Sequence, residues 1–318
     1  MAIALLVGRN EQDKKRFPHF TQKFAQLLTT LHPDLDLRIY PDLGDYNEID
    51  FAIVWRHPLG VLAQLPNLKC IASLGAGVDH ILADINLPTE VPIVRIVDPA
   101  MSTEITQYVV ATVLYRLKRF DLWADNQQQK IWRSTSQFNF LDKTVGILGL
   151  GFLGGHAAQT LHSLGIKVIG WSQSPKKLTG ITHFTGAAEL NSFLSKSDVL
   201  VCLLPLTTET TEILNAKNFA RLPRCAYLIN LGRGDHLVEA DLLAALDSDQ
   251  LSGACLDVFR EEPLPPDHPF WAHPHIRVTP HIASVTNPNT VMSQIIDNYQ
   301  RAIAGEPLLN CIDPKRGY

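Results

Sequence analysis

Thr144-Val145-Gly146-Ile147-Leu148 runs directly into Gly149-Leu150-Gly151-Phe152-Leu153-Gly154. A short β-branched apolar run reads as a buried strand. The apolar periodicity over residues 156–164, closed by Gly165, reads as a helix. Between them stands GxGxxG. In such a βα turn the first glycine allows a tight bend and the second lets backbone approach a pyrophosphate. The third lets helix pack on strand, so that the helix N-terminus faces the phosphates. The stretch predicts a parallel α/β fold that holds a dinucleotide on Gly149, Gly151, Phe152, Leu153 and Gly154.

Working outward, strands are expected at residues 144–148, 167–172, 198–204, 226–230, 254–258 and 276–279, with helices between them. That alternation predicts a doubly wound parallel sheet. Upstream, residues 2–7, 35–39, 51–54 and 69–73 read as the strands of a smaller α/β unit. Phe17, Phe20, Phe24, Leu27, Leu28 and Leu31 recur at helical spacing after the first of them. Residues 99–120 read as one long helix, with Ile105, Val109, Val113, Leu117 and Phe120 on one face. Residues 289–304 read as a last helix, presenting Val291, Ile295, Tyr299 and Ile303.

Composition bounds the function. The chain has 318 residues, 46% hydrophobic and 19% charged, with formal net charge −4. One or two globular domains are expected. Phosphate-backbone binding needs clustered Lys/Arg, which are missing, so nucleic acid is excluded as a partner. No apolar run reaches the ~18 residues that span a bilayer, so no membrane is expected. Residues 1–10 are too short and lack the basic region of a signal peptide. Cys70, Cys202, Cys225, Cys255 and Cys311 are an odd set without a CxxC pair, which predicts neither a disulfide framework nor a thiolate zinc site. His268, His273 and His275 crowd a Pro-rich loop without the carboxylate–His spacing of a metal site, so no metal is expected. The expected location is the cytoplasm.

The strand at 167–172 ends on Ser172, where an NAD enzyme usually carries Asp or Glu for the ribose hydroxyls. Gln173, Ser174, Pro175, Lys176 and Lys177 follow. No carboxylate repels a 2′-phosphate, and lysines stand ready to meet one. The turn therefore predicts a preference for NADPH, with NADH possible.

Further pieces complete a pattern: Ser73-Leu74-Gly75-Ala76-Gly77-Val78-Asp79, Leu204-Pro205-Leu206-Thr207 with Thr210, Asn230-Leu231-Gly232-Arg233-Gly234, Leu256-Asp257-Val258-Phe259-Arg260-Glu261-Glu262-Pro263 and Thr279-Pro280-His281-Ile282-Ala283. With the glycine turn, and in this order, they resemble the D-isomer-specific 2-hydroxyacid dehydrogenases. Trp171-Ser172, Leu264-Pro265-Pro266 and Arg316-Gly317-Tyr318 resemble the bacterial glyoxylate/hydroxypyruvate reductase A branch. The resemblance implies two doubly wound parallel-sheet domains with a cleft between. Residues 1–98 plus 286–318 would form a flavodoxin-like substrate domain, and residues 99–285 a Rossmann cofactor domain. It also implies a homodimer, with the long helix from Pro99 as part of its interface.

The expected reaction is NADPH-dependent reduction of a small 2-oxo acid, glyoxylate to glycolate or hydroxypyruvate to glycerate. It needs a grip on the carboxylate, a proton for the carbonyl oxygen and an aligned hydride donor. Arg233, at the C-terminal end of a strand, can fork onto a carboxylate or polarise a carbonyl. His281, after the last strand, is the natural proton donor. A carboxylate would hold its imidazole. Glu261 and Glu262 are chemical equals for that task, and the resemblance selects Glu262. It further places the amides of Ala76 and Gly77 on the substrate carboxylate and Asp257 by the nicotinamide amide. Pro205, Thr210, Leu231, Gly232 and Ala283 would contact the cofactor with Ser172, Gln173 and Lys176. Trp55 is expected to wall the substrate pocket. Two other readings stand beside this one: a dehydrogenase for another 2-hydroxy acid, and a non-catalytic NAD(H)-sensing corepressor on the same fold.

Overall fold

The computed structural model describes residues 2–9, 13, 18–133 and 142–318. Phe17, expected on the first helix, and Met1 and Asn10 of the N-terminal reading lie outside the described residues. The chain divides into two compact units, Met1–Met101 with Thr286–Tyr318, and Ser102–Val285.

The first unit carries β1 (Ala2–Val7), α1 (Pro18–Leu31), β2 (Asp36–Ile39), β3 (Ile49–Trp55), β4 (Cys70–Ser73), α2 (Asp79–Leu82) and β5 (Ile93–Val94). The strands form one parallel sheet in the order β2-β1-β3-β4-β5. This is the flavodoxin-like order, whose direction of winding reverses between β1 and β3. β1 is buried along its whole length, because helices cover both faces of such a sheet. α1 buries Phe24 and Leu28, whereas Leu31 is exposed.

The second unit begins on α3 (Pro99–Leu117), which the unit boundary divides, and α4 (Phe120–Gln128). The single long helix expected from Pro99 to Phe120 is thus two helices. Arg119 turns left-handed at φ 55°, a break without the Gly or Pro that would announce it. Ile105, Val109, Val113 and Leu117 are buried as the periodicity predicts, but Phe120 starts the new helix and is exposed.

There follow β6 (Thr144–Leu148), α5 (Phe152–Ser163), β7 (Lys167–Ser172), β8 (Thr182–Thr185), α6 (Gly186–Leu194), β9 (Val199–Cys202), α7 (Ala216–Phe219), β10 (Ala226–Asn230), α8 (Glu239–Asp247), β11 (Leu251–Leu256) and β12 (Ile276–Val278). The strands pair in the order β12-β11-β10-β9-β6-β7-β8, all parallel. This is a Rossmann sheet, seven strands rather than the six expected. β8, the addition, is an edge strand of half-polar residues. The tail helix α9 (Pro288–Ala304) belongs to the first unit.

The sheet of the second unit separates two apolar layers. Val145 and Ile147 face one layer with α3, and Leu148 faces the other with Phe193 and Leu200. Gly146 lies on the second face because nothing larger fits. A Cβ there would stand 2.1 Å from Ser197 Oγ and 3.0 Å from Phe193 Cζ. Rotating the hydroxyl away still leaves Ser197 Cβ at 2.8 Å. Gly146→Ala is therefore expected to cost about 1–3 kcal/mol by overpacking. It should lower the urea midpoint of the second unit's unfolding; an unchanged midpoint would contradict this packing.

Candidate active site

The glycine turn meets its physical requirements one glycine at a time. Gly149 has φ 101°, and a Cβ on it would stand 2.8 Å from the Leu203 carbonyl oxygen. Gly154 lies so close to the strand that a Cβ would be 1.8 Å from the Gly149 oxygen. Gly151 differs: its φ is −74°, ordinary for any residue, and a Cβ would meet nothing within 4 Å. Among the described residues no packing demands that glycine, so the space in front of it fits a ligand that approaches backbone closely. α5 starts there with Gly151 as its N-cap, no capping side chain and no acidic residue in its first turn. Exposed helix N–H groups without a competing carboxylate suit a phosphate. Phe152 is exposed, while Leu153 packs against the apolar layer.

Ser172 closes β7 and is buried. Its hydroxyl donates to the Ser174 carbonyl at 2.7 Å, and His183 Nε2 lies 2.8 Å from it. Ser172 therefore shapes the turn, and Gln173, Lys176 and Lys177 stand exposed on it. His183, on β8, escapes a reading of the sequence because its strand does. Burial holds its imidazole below the ordinary value, so it is neutral at pH 7 and bonds the Ser172 hydroxyl as a donor.

Arg233, Glu262 and His281 follow the neighbouring strands β10, β11 and β12, at their C-terminal ends. His281 Nδ1 lies 2.9 Å from Glu262 Oε2, and the carboxylate is nearly buried at 6% exposure. The Phe259 amide donates to Glu262 Oε1 at 3.1 Å. Glu261 is exposed, so the structure separates two residues whose chemistry is equal. A Nδ1–H given to a carboxylate leaves His281 Nε2, on a ring 29% exposed, to carry a proton outward.

His281 sits in the left-handed region at φ 56°. Its loop is held by Asp257, which is 1% exposed. Asp257 Oδ1 accepts from the Thr279 hydroxyl at 2.6 Å and the Ile282 amide at 2.9 Å; Oδ2 accepts from the Ala283 amide at 2.9 Å. The Tyr108 hydroxyl stands 2.6 Å from Thr279 Oγ1 and extends the chain. A carboxylate offers about four acceptor positions. Three are used here, and the one left on Oδ2 is what remains for an outside donor such as an amide.

Arg233 is half-buried, and its Nη1 donates to the Gly232 carbonyl at 2.7 Å. Its neighbour must be glycine: a Cβ on Gly234 would be 1.9 Å from the Phe259 backbone. That contact brings the Arg233 loop onto the loop of Glu262. Thr210 is an internal strut, its hydroxyl donating to the Pro205 carbonyl at 2.7 Å and accepting from the Thr207 amide at 2.8 Å. Leu231 and Ala283 are buried. Sequence reasoning also passes over His236, which bonds both Arg233 and Pro205. Its place three residues after Arg233 is the available signal.

In the first unit the amides of Ala76 and Gly77 have no hydrogen-bond acceptor among the described residues, and both residues are half-exposed. Trp55 ends β3 and packs against Gly75, where a Cβ would be 2.5 Å from the indole. Its ring meets His80 edge-on at 4.7 Å. Among the described residues no group of three His, Cys, Asp or Glu could hold a metal ion, and His268 is instead 3.3 Å from Glu239. Among them, too, no helix is long and apolar enough to cross a membrane.

Comparison with known proteins identifies the family. Residues 110–283 match the family model described as D-isomer specific 2-hydroxyacid dehydrogenase, NAD binding domain. The glyoxylate/hydroxypyruvate reductase A of Yersinia enterocolitica is 44% identical over 280 residues, 86% of this chain and 90% of that protein. That of Photorhabdus laumondii is 43% identical over 291 residues, 90% and 93% of the two chains. Among solved structures, a D-isomer specific 2-hydroxyacid dehydrogenase from Xanthobacter autotrophicus in complex with NADPH and MES superposes with TM-score 0.90 at 40% identity, over 100% of this chain and 99% of that one. The NADPH-dependent glyoxylate/hydroxypyruvate reductase of Sinorhizobium meliloti in complex with NADP and sulfate gives TM-score 0.89 at 35% identity over both whole chains. With the three candidate residues on adjacent strand ends and the glycine turn shaped for a phosphate, the chain belongs to the D-isomer-specific 2-hydroxyacid dehydrogenases.

Proposed function

We propose that this protein reduces a small 2-oxo acid, glyoxylate or hydroxypyruvate, with NADPH. The observation that carries the reading is the His281–Glu262 pair beside an arginine loop, in the unit that also holds the glycine turn. The relatives named glyoxylate/hydroxypyruvate reductase and the NADPH-bound neighbours support the substrate and the cofactor. The first unit acts as the substrate domain and the second as the cofactor domain. Exposed Phe120, Trp132 and Trp271 support a homodimer, and five free cysteines support a reducing, cytoplasmic setting.

Each residue has a task. The amides of Ala76 and Gly77 take the substrate carboxylate, and Trp55 limits the size of the substrate's remaining substituent. Arg233 polarises the carbonyl and shares the carboxylate. His281 Nε2 gives the carbonyl oxygen its proton. Glu262 Oε2 accepts from Nδ1–H, fixes the ring and stabilises the charged imidazole. Gly149, Gly151, Phe152, Leu153 and Gly154 seat the pyrophosphate, and Ser172, Gln173 and Lys176 form the turn at the 2′-phosphate. Pro205, Thr210, Leu231, Gly232, Asp257 and Ala283 line the nicotinamide side. Bound there, NADPH supplies the hydride.

His281→Ala tests the proton donor. It should lower kcat on the order of 10²–10⁴-fold while the NADPH Kd, read by fluorescence titration, stays within about threefold. An unaffected kcat would remove His281 from that role. At the other end of the cofactor, Ser172→Asp places a carboxylate where the 2′-phosphate is expected. The ratio of kcat/KM for NADPH over NADH should fall by about tenfold, a 1.4 kcal/mol change; a constant ratio would show that this turn does not set the preference.

A further inference from the structure

We propose that His236 is a positioning residue for this reaction: a neutral imidazole, protonated on Nε2, that ties the Arg233 amide to the Pro205 carbonyl. The inference deepens the functional reading and rests on it, because it takes Arg233 as the group that meets the oxo acid.

The geometry decides the tautomer. His236 closes a 3₁₀ turn, Gly234–His236, and that turn carries its ring back over Arg233. The residue is 0% exposed. The Arg233 amide donates to Nδ1 at 3.0 Å, and a backbone amide is only a donor, so Nδ1 bears a lone pair. Nε2 lies 3.2 Å from the Pro205 carbonyl oxygen, which is only an acceptor, so Nε2 bears the proton. Flipping the ring would set carbons against both groups and break both bonds. The Cys202 sulfur stands 3.8 Å from Nδ1, and burial pushes its thiol up to about 12, so it remains a thiol beside the ring.

The surroundings hold the ring and the arginine together. A Cβ on Gly232 would be 2.7 Å from His236 Nδ1, so the imidazole fills the space a side chain would take there. Asn230 braces the other side: its Oδ1 accepts from the Gly232 amide at 3.2 Å and its Nδ2 donates to the Arg233 carbonyl at 3.0 Å. Both peptide groups of Arg233 are thereby fixed. Pro205 O receives Thr210 Oγ1 as well, which fixes it within the loop after β9, and the imidazole ties that loop to the one after β10. A displacement of about 1 Å at such a residue costs on the order of 10²-fold in rate.

Three variants separate the two bonds. His236→Asn sets its side-chain oxygen near the Nδ1 position, keeping the Arg233 bond and losing Pro205. His236→Gln reaches Pro205 with its amide nitrogen and loses Arg233. His236→Leu loses both. KM for the oxo acid should rise about tenfold or more in His236→Gln and His236→Leu and stay within about threefold in His236→Asn. The NADPH Kd, titrated without oxo acid, should weaken in His236→Asn and not in His236→Gln. Equal oxo-acid KM values in His236→Asn and His236→Gln overturn the proposal, a comparison that holds even if His236→Leu does not fold. In the wild type, two-bond ¹H–¹⁵N correlation at pH 7 should show the Nε2–H tautomer; the Nδ1–H form or an imidazolium overturns it. A wild-type protein without oxo-acid turnover would sink the functional reading, while the tautomer and the NADPH Kd would still judge His236.

Discussion

The buried carboxylate of Asp257 is the interaction on which the rest of the site depends. It accepts three donors from one short segment, Thr279 to Ala283. Hydrogen bonds to a charged group contribute about 1.5–3 kcal/mol each. Holding a non-glycine residue left-handed costs about 1–3 kcal/mol. Three such bonds outweigh one such cost, which is why His281 can stay at φ 56° with Nδ1 on Glu262. Without that anchor the imidazole would belong to a loose loop at a sheet edge.

Around this anchor the fold distributes the chemistry by strand order. β10, β11 and β12 are neighbours, so Arg233, Glu262 and His281 arrive side by side although far apart in sequence. The winding reverses between β6 and β9, and the glycine turn follows β6, beside the Pro205 loop after β9. The same parallel sheet therefore brings the glycine turn and the His281–Glu262 pair to its C-terminal edge, where ligands of open α/β sheets bind. Close packing enforces the details: Gly234 on Phe259, Gly154 on Gly149 and Gly232 under His236 each exclude even a methyl group.

Much of this is legible in the sequence, for physical reasons. A parallel strand buried on both faces leaves a continuous apolar signature, and GxGxxG leaves a spacing that few other turns need. Where environment alone decides, the sequence is silent. Glu261 and Glu262 differ only in what surrounds them: Glu261 is exposed, whereas Glu262 meets the Phe259 amide and the His281 imidazole. The edge strand Thr182–Thr185 is short and half-polar, so it carries little periodicity. Arg119 breaks a helix with neither Gly nor Pro to mark the break. Ser172 reads as a ligand contact, and the sequence does not show that its hydroxyl also bonds Ser174 and lies against His183, which shapes the turn. His236 is one histidine among twelve, and its bonds to the Arg233 amide and the Pro205 carbonyl become visible only in the structure.

The central claim is that these parts work as an NADPH-dependent reductase of small 2-oxo acids. Its most direct test is a steady-state comparison of glyoxylate, hydroxypyruvate and pyruvate, each with NADPH and with NADH. Turnover of glyoxylate or hydroxypyruvate is predicted, with kcat/KM higher for NADPH than for NADH. Tight NADPH binding without turnover of any of the three acids would contradict the claim, and would point instead to a nucleotide-sensing protein on the same fold.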